Sequence, residues 1–245
     1  MVFEIPGVMA LLGVLFYIFL SVCSLSGAQG WIRSASLWGL LFIPFFVLVG
    51  WTYNPRRVVD GANDNLSGCY MGITLLHEME RLGITLESTE VGVILTGSEE
   101  AGLRGAKAWC DAHRRDFDDI PTYILSFDTI HDPRFLMVNE RDLNGTVRAD
   151  PVICKAFLRA ARDAGVACRK GWVPPFGGST DSAAFIQGGF RAACVTGLNH
   201  KLEDYYHTRR DSWDNLDPAG LESCYRATVR FLATAESGAL DEGDI

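Results

Sequence analysis

The first part of the chain is dominated by residues 5–25, a long apolar run that contains no charged side chain. A helix needs about 20 predominantly apolar residues to cross the hydrocarbon core of a bilayer. The run is long enough to do so, and it therefore predicts a membrane-spanning helix. It limits the possible folds of the chain more than any other stretch does.

A second apolar run, residues 37–51, follows after a short polar turn. It is shorter and contains Pro44, which can kink a helix. It either spans the bilayer together with its flanking residues or enters and leaves on the same side. We predict a transmembrane hairpin over residues 1–54, with spans at about 5–25 and 35–53, followed by one domain.

Charged residues around the hairpin predict its orientation. Arg56 and Arg57 follow it directly, whereas the turn between the two runs holds only Arg33. Because basic residues stay on the cytoplasmic side of a membrane, we predict a multi-pass membrane protein whose large domain is cytoplasmic. A secretory signal is the alternative, but residues 1–4 include Glu4 and lack the positive charge with which signal peptides begin.

Residues 55–245 have the composition of a water-soluble α/β domain. Short apolar runs at 91–95, 123–127 and 192–196 are typical of strands buried on both faces. Strands that alternate with helices predict a mostly parallel central sheet flanked by helices. The predicted helices cover residues 66–82, 101–113, 151–164, 182–187 and 218–236. The buried face predicted for the first of them consists of Leu66, Cys69, Tyr70, Ile73, Leu76 and His77, which recur at helical spacing.

The overall charge and the cysteines narrow the class of protein. A formal net charge of -8 argues against a nucleic-acid partner. The seven cysteines are scattered and form no C-x-x-C pair, so they predict reduced, buried thiols rather than a disulfide framework. A bond between Cys154 and Cys168 is the alternative.

Carboxylates follow two of the predicted strands. Glu99 and Glu100 come after the first strand and Asp128 after the second. Open α/β sheets place their sites beyond the carboxyl ends of the strands. A further carboxylate, Asp64, lies in a glycine-rich turn, and His207 lies in a polar loop. These residues predict a site at one edge of the sheet.

The residue types in this group suit divalent metal ions. Two ions about 3.5–4 Å apart need a carboxylate that bridges them. Asp64 can present both oxygens, Glu100 and His207 can complete the shell of one ion, and Asp128 can serve the other. Glu99 is well placed to take a proton from activated water and to give it to a leaving amine.

Each of these residues also has a structural explanation when it is considered alone. Asp64 suits a helix N-cap or an Asx turn, and Asp128 suits a turn at the end of a strand. Glu99 and Glu100 suit the first turn of a helix, and His207 suits an exposed loop. Taken together, the five residues are more specific than any one of them.

Five motifs in order give the chain a resemblance to a known family. They are GANDNLSG (61–68), TGSEEAGLRGA (96–106), SFDTI (126–130), GGSTDSAAF (177–185) and YYHTRRDSWDNLDP (205–218). The chain resembles the co-catalytic two-zinc aminopeptidases, which include secreted bacterial leucyl aminopeptidases. The resemblance implies a three-layer α/β sandwich.

The resemblance also implies a role for the ligand residues. Asp64 would bridge two zinc ions, Glu100 and His207 would complete one of them, and Asp128 would bind the other. The implied cofactor is zinc, although a shell of Asp, Glu and His also accepts cobalt or manganese.

The implied reaction is hydrolysis of a peptide bond next to a free N-terminus. Glu99 would be the general base, and Tyr206 matches a position that helps to stabilise the oxyanion of the tetrahedral intermediate in some members. The expected partners are a peptide substrate and a lipid bilayer.

The sequence departs from the family at its beginning. The family carries a His-x-Asp motif on a strand shortly before the bridging aspartate, and its histidine binds the zinc that Asp128 would also bind. No histidine precedes His77 in this chain. The zinc ion at Asp128 would therefore keep only Asp64 and Asp128, which are too few ligands for a tight site.

Two explanations for this departure are open. In the first, the chain is the carboxyl-terminal part of a longer peptidase into which a membrane hairpin is inserted, and the sheet lacks its first strands. In the second, the chain is a one-metal or inactive relative that serves as a membrane-anchored binding or scaffold module. We favour the first.

Overall fold

The computed structural model describes residues 4–27, 30–52, 58–173, 178–199 and 205–242. The chain forms two compact units, Met1–Val58 and Val59–Ile245. Arg56 and Arg57, on which the predicted orientation depends, lie outside the described residues, as does Tyr53 at the end of the second predicted span.

The first unit consists of apolar helices. They are α1 (Glu4–Leu25), α2 (Ile32–Trp38) and α3 (Ile43–Thr52), and a 3-10 turn at Gly39–Phe42 joins α2 to α3. The turn precedes Pro44, whose ring has no N–H to donate and crowds the carbonyl one turn earlier. Two helical stretches, Ile5–Leu25 and Ile32–Trp51, are long and apolar enough to cross a membrane.

Close packing between the two helical stretches depends on a glycine in α1. A methyl group on Gly13 would lie 2.8 Å from Cβ of Phe42 and 3.0 Å from the ring of Phe46. The rings of Phe16 and Phe42 lie 5.8 Å apart. Small residues allow helix backbones to approach closely, as is common between helices in membranes.

The second unit contains a five-stranded sheet with helices on both faces. Its helices are α4 (Ser67–Leu82), α5 (Arg104–His113), α6 (Pro151–Asp163), α7 (Asp181–Gln187), α8 (Pro218–Glu236) and α9 (Ala239–Glu242). Its strands are β1 (Tyr123–Asp128), β2 (Met137–Asp142), β3 (Val147–Arg148), β4 (Arg169–Trp172) and β5 (Arg191–Thr196). The predicted α/β class with a helix-flanked central sheet is confirmed.

Two hydrophobic clusters cover the two faces of the sheet. The larger cluster joins α6 and α8 with Met71 of α4, and Phe157 and Phe231 lie at its centre. The smaller cluster joins α5 and α7, with Phe185 and Trp109 in contact. Burial on both faces explains why Ala192 to Val195 of β5 are fully inaccessible to solvent.

Capping residues define the ends of several helices. Asp150 accepts hydrogen bonds from the first N–H groups of α6, and Asp217 does the same for α8. Gly83 ends α4 in the left-handed conformation. The helices predicted at 66–82, 151–164, 182–187 and 218–236 are confirmed within one residue at each end.

The sheet is mixed, whereas the sequence predicted a mostly parallel one. β1 pairs with β5 in parallel, and β2 pairs with β4 in parallel. β2 is antiparallel to both β5 and β3. The antiparallel β2–β3 hairpin turns at Asn144-Gly145, where both residues have positive φ. This is a hairpin signal, but it is flanked by charged residues rather than by an apolar run.

Two further predictions about the elements are wrong. Residues 91–95 form no strand within the described part of the chain, and Ile94 and Leu95 are exposed. β1, which would be a neighbouring strand, pairs only with β5 among the described residues. The predicted helix at 101–113 begins later, at Arg104, because Leu103 has a left-handed φ of 59°.

The face of α4 that was predicted to be buried is exposed. Leu66, Tyr70, Ile73 and Leu76 are exposed, whereas Ser67, Gly68, Met71 and Leu75 are buried. Gly68 allows the helix to lie directly against the backbone carbonyl of Phe127 at the end of β1. This close approach directs the face with Ser67, Gly68, Met71 and Leu75 towards the sheet and leaves Tyr70 and Ile73 outside.

All seven cysteines are free. Cys110, Cys154, Cys194 and Cys224 are buried, and the other three are half-buried. Cys154 and Cys168 form no disulfide.

We predict that Gly13→Ala loosens the packing of the first unit, because the added methyl group would meet Phe42. Overpacking of this kind costs about 1–3 kcal/mol. Gly7→Ala is the matched control, since nothing lies within 4 Å of a methyl group there. The measurement is the SDS concentration at which Trp31 and Trp38 fluorescence changes in detergent-solubilised protein with its other tryptophans replaced. Equal midpoints for the two variants would contradict the close contact.

Candidate metal centre

A buried carboxylate holds the turn that carries Asp64. Asp211 is 3% exposed. Its Oδ1 accepts hydrogen bonds from the backbone N and the side-chain Nδ2 of Asn63, at 2.7 and 3.0 Å. Its Oδ2 accepts a hydrogen bond from the backbone N of Asp64 at 2.9 Å. The position of Asp64 is therefore fixed by a residue far along the chain.

Further hydrogen bonds tie the same turn to the end of β1. Asn65 donates through Nδ2 to the carbonyl of Phe127 at 2.8 Å and accepts at Oδ1 from the backbone N of Thr129 at 3.1 Å. Ser67 donates to the Asn63 carbonyl at 2.5 Å and accepts from the Ile130 backbone N at 2.9 Å. Asp64 and the end of β1 are thus held together.

The loop with Glu99 and Glu100 is a tight turn closed by backbone bonds. The carbonyl of Glu99 accepts from the backbone N of Gly102 and Leu103 at 2.8 and 2.7 Å. Ser98 has a positive φ of 56°, which is uncommon for a residue with a side chain and occurs often at functional sites. The side chain of Thr96 donates to Asp181 at the start of α7, and this bond anchors the loop to a second element.

Three of the predicted ligands lie together. Nε2 of His207 is 3.2 Å from Oδ2 of Asp64 and 3.3 Å from Oε1 of Glu100. One ligand atom from each residue lies within 4.8 Å of the other two. His207 has a left-handed φ of 55°, which directs its ring from the loop towards the two carboxylates.

The other predicted residues surround this group. Asp128 ends β1 and accepts a hydrogen bond from the Thr129 side chain at 2.8 Å. It is not one of the three residues of the close cluster. The ring of Tyr206 stacks on that of His207, with 3.9 Å between centroids. Tyr206 and Asp128 also line a cavity of about 20 Å³.

The electrostatics of the group favour a positive charge among the carboxylates. Burial and the neighbouring Asp128 and Glu100 raise the pKa of Glu99 to about 8. Burial and Asp64 raise the pKa of Asp128 to about 7. Hydrogen bonds to Asp64 and Glu100 raise the pKa of His207 to about 10. Converging carboxylates that resist ionisation together are what a bound cation would relieve.

The spacing of the close cluster fits zinc. Ligands about 2.0–2.2 Å from a tetrahedral zinc ion lie roughly 3.3–3.6 Å from one another. The His207–Asp64 and His207–Glu100 distances of 3.2 and 3.3 Å are near this range. The chemistry of the donors, two carboxylates and one imidazole, also suits zinc. A second ion at Asp128 has fewer ligands among the described residues.

Several residues that organise the site were missed by the sequence reasoning. Asp211 and Asn65 make its key hydrogen bonds, yet each looks like an ordinary turn residue. The sequence signal that could have identified them is that Asn65 lies in the motif at 61–68 and Asp211 in the motif at 205–218. His131 donates through Nδ1 to Oδ1 of Asn63 at 2.9 Å, so it supports the turn from a second side.

A helix-flanked α/β sheet, with two carboxylates and an imidazole gathered in a turn and loops tied to the end of β1, defines an α/β fold with a candidate metal site. The sequence profile of peptidase family M28 matches residues 49–232. The chain belongs to this family, and the resemblance stated from its motifs is confirmed. No curated protein sequence matches the chain.

Solved structures share the fold. BSAP, a zinc aminopeptidase from Bacillus subtilis, is 24% identical with a TM-score of 0.59, and the match covers 72% of this chain and 43% of that one. An aminopeptidase from Aneurinibacillus sp. strain AM-1 is 22% identical with a TM-score of 0.59, covering 72% and 40%. LapA from Legionella pneumophila is 18% identical with a TM-score of 0.56, covering 73% and 49%. The match thus spans less than half the length of each of these proteins.

We predict that Asp211→Asn destabilises the second unit by about 2–3 kcal/mol, because an amide nitrogen would face N–H groups that now donate to a carboxylate. It should also weaken metal binding, since Asp64 loses its support. Asp214→Asn, at an exposed position of the same loop, is the control and should change stability by less than about 0.5 kcal/mol. Denaturant unfolding and metal titration measure the two effects. Equal stability of both variants would contradict the role given to Asp211.

Proposed function

We propose that the chain is a membrane-anchored, zinc-dependent aminopeptidase-type hydrolase that cleaves N-terminal peptide bonds. The observation that carries the proposal is that ligand atoms of Asp64, Glu100 and His207 lie within 4.8 Å of one another. Family membership and the zinc aminopeptidase named among the similar structures support it. The substrate is a peptide with a free N-terminus.

In this proposal Asp64, Glu100 and His207 would hold one zinc ion, and Asp64 and Asp128 would be the ligands available to a second. Bound zinc would supply a Lewis acid that polarises the scissile carbonyl and activates water. Asp211 and Asn65 would keep the first ligand in place from outside the site, as partners of metal ligands commonly do.

Glu99 acts as the general base. Its half-buried carboxylate lies next to Glu100, and its raised pKa suits a group that first accepts and later donates a proton. It would take a proton from the attacking water and deliver it to the leaving amine. Tyr206, whose pKa is raised by burial, keeps its proton and can donate a hydrogen bond to the developing oxyanion.

The site at Asp128 calls for one more ligand than the described residues bring to it. Two observations favour the explanation that further polypeptide completes the domain. The apolar side chains of Leu66, just before α4, and of Tyr70 and Ile73 on α4 are exposed, and residues 91–95 form no strand within the described part of the chain. Additional strands beside residues 91–95 would pair with these residues and would cover the exposed apolar side chains of α4.

The competing proposal is a one-metal or inactive relative that acts as a membrane-anchored binding or scaffold module. The observation in its favour is that Asp128 does not belong to the close cluster of ligands among the described residues. Activity and metal stoichiometry separate the two proposals.

We also propose that the first unit anchors the chain as a two-span hairpin and that the second unit is cytoplasmic. The apolar stretches Ile5–Leu25 and Ile32–Trp51 support the anchor by length and composition. Arg56 and Arg57 support the orientation through their position in the sequence alone.

Two variants test the residue roles together. Glu99→Gln should leave metal binding intact and lower turnover by at least about 100-fold, the scale of general base catalysis. His207→Ala should lower both metal content and turnover, because it removes a ligand. Elemental analysis and hydrolysis of an N-terminal leucine amide on the same samples measure both. Undiminished hydrolysis in Glu99→Gln, or unchanged metal content in His207→Ala, would contradict the assignment. An absence of activity in the unaltered chain would favour the scaffold proposal.

Membrane fractionation tests the anchor. The full chain should stay in the membrane pellet after alkaline carbonate extraction, and a chain that begins at Val59 should not. In sealed vesicles, a protease should digest the second unit only when the cytoplasmic face is outside. Release of the full chain by carbonate, or digestion from the opposite face, would contradict the proposed anchor or orientation respectively.

A further inference from the structure

A second cavity lies away from the candidate metal centre. It has a volume of about 640 Å³ and is lined by residues at the start of β5 and at the ends of β2, β3 and β4. Thr196, at the other end of β5, is level with Asp128. The cavity and the metal centre are therefore at opposite ends of this strand. Pockets for small molecules commonly measure about 300–1,000 Å³.

Three side chains form a row across the floor of this cavity. Arg141 of β2 is the register partner of Arg148 in β3, and such partners project from the same face of a sheet. On its other side β2 pairs with β4, and the register shifts just before Arg141 reaches Trp172. The guanidinium carbon of Arg141 lies 5.2 Å from the centroid of the Trp172 ring, and Trp172 is 56% exposed.

The charges in the cavity are unbalanced. Its two carboxylates already have cationic partners, since Glu140 pairs with Lys170 and Asp150 pairs with Arg191, both at 2.7 Å. Arg141 donates to the Gly145 carbonyl at 3.0 Å.

Neither Arg141 nor Arg148 has a carboxylate partner in the described part of the chain. Like charges placed directly opposite each other in a sheet are destabilising. This pair is unusual in a chain with a net charge of -8.

An anion placed between the two arginines would turn this repulsion into attraction. Guanidinium groups bind phosphate and carboxylate oxygens through paired hydrogen bonds. The exposed indole of Trp172 beside them offers an apolar surface on which a planar group can stack. The row thus offers two guanidinium groups to an anion and, beside them, an aromatic surface to a ring.

We propose that this cavity binds a small anion that carries a planar ring. The anionic group lies between Arg141 and Arg148, and the ring packs against Trp172. Aromatic phosphates and aromatic carboxylates share this chemistry. The proposal does not depend on the function proposed for the metal centre.

The test uses the full chain in detergent, with AMP as a phosphate probe and N-benzoylglycine as a carboxylate probe. Binding is measured by ligand-observed NMR titration and by the shift in melting temperature. Arg148→Gln should weaken binding by about tenfold or more, the scale of one charge-assisted contact. Arg159→Gln makes the same charge change on the exposed surface of α6, outside the cavity, and should leave binding unchanged.

A second variant separates the two parts of the site. Trp172→Leu should weaken AMP binding and leave the binding of inorganic phosphate unchanged. If only AMP binds, and its binding depends on Arg148, the ligands of the cavity are aromatic phosphates. If only N-benzoylglycine binds in this way, they are aromatic carboxylates. If neither probe binds, the proposal fails. It also fails if binding is the same in Arg148→Gln as in the unaltered chain, as it would be for anions held at the metal centre.

Discussion

The candidate metal centre depends on one buried carboxylate that binds no metal in our proposal. Asp211 accepts three hydrogen bonds from Asn63 and Asp64, and a buried carboxylate is stable only when its oxygens are satisfied in this way. The same interaction fixes the turn that presents Asp64 and brings the loop of His207 over it. Asn65 donates a hydrogen bond to the end of β1. The turn that carries Asp64 is therefore fixed relative to the sheet.

The sequence predicts those parts of the molecule that depend on local chemistry. Helices α6 and α8 begin where an aspartate precedes a proline, and the candidate ligands stand out because carboxylates follow apolar runs. Asp211 could not be predicted in the same way, because its role depends on a partner distant in sequence. β2 and β3 were missed because charged residues such as Arg141 and Arg148 alternate there with few apolar ones. The packed face of α4 was misassigned because Gly68 is a close-contact residue rather than an apolar one.

The apolar side chains that the second unit exposes and the short ligand set at Asp128 can have the same cause. Residues 91–95 have the composition of a central strand, and the outer face of α4 has that of a core helix, yet Ile94, Leu95, Tyr70 and Ile73 are exposed. A strand added beside residues 91–95 would lie close to the loop of Glu99 and Glu100. In our proposal, the same added polypeptide would cover the exposed apolar side chains and supply the ligand that Asp128 lacks.

The pairing of Asp64 with Asp211, 147 positions apart in the chain, has a consequence for the order of folding. Contacts between distant residues form late, because the intervening chain must first be brought together at an entropic cost. On a ribosome, the turn around Asp64 emerges long before the segment that fixes it. The turn around Asp64 consequently reaches its final position only after Asp211 has been synthesised.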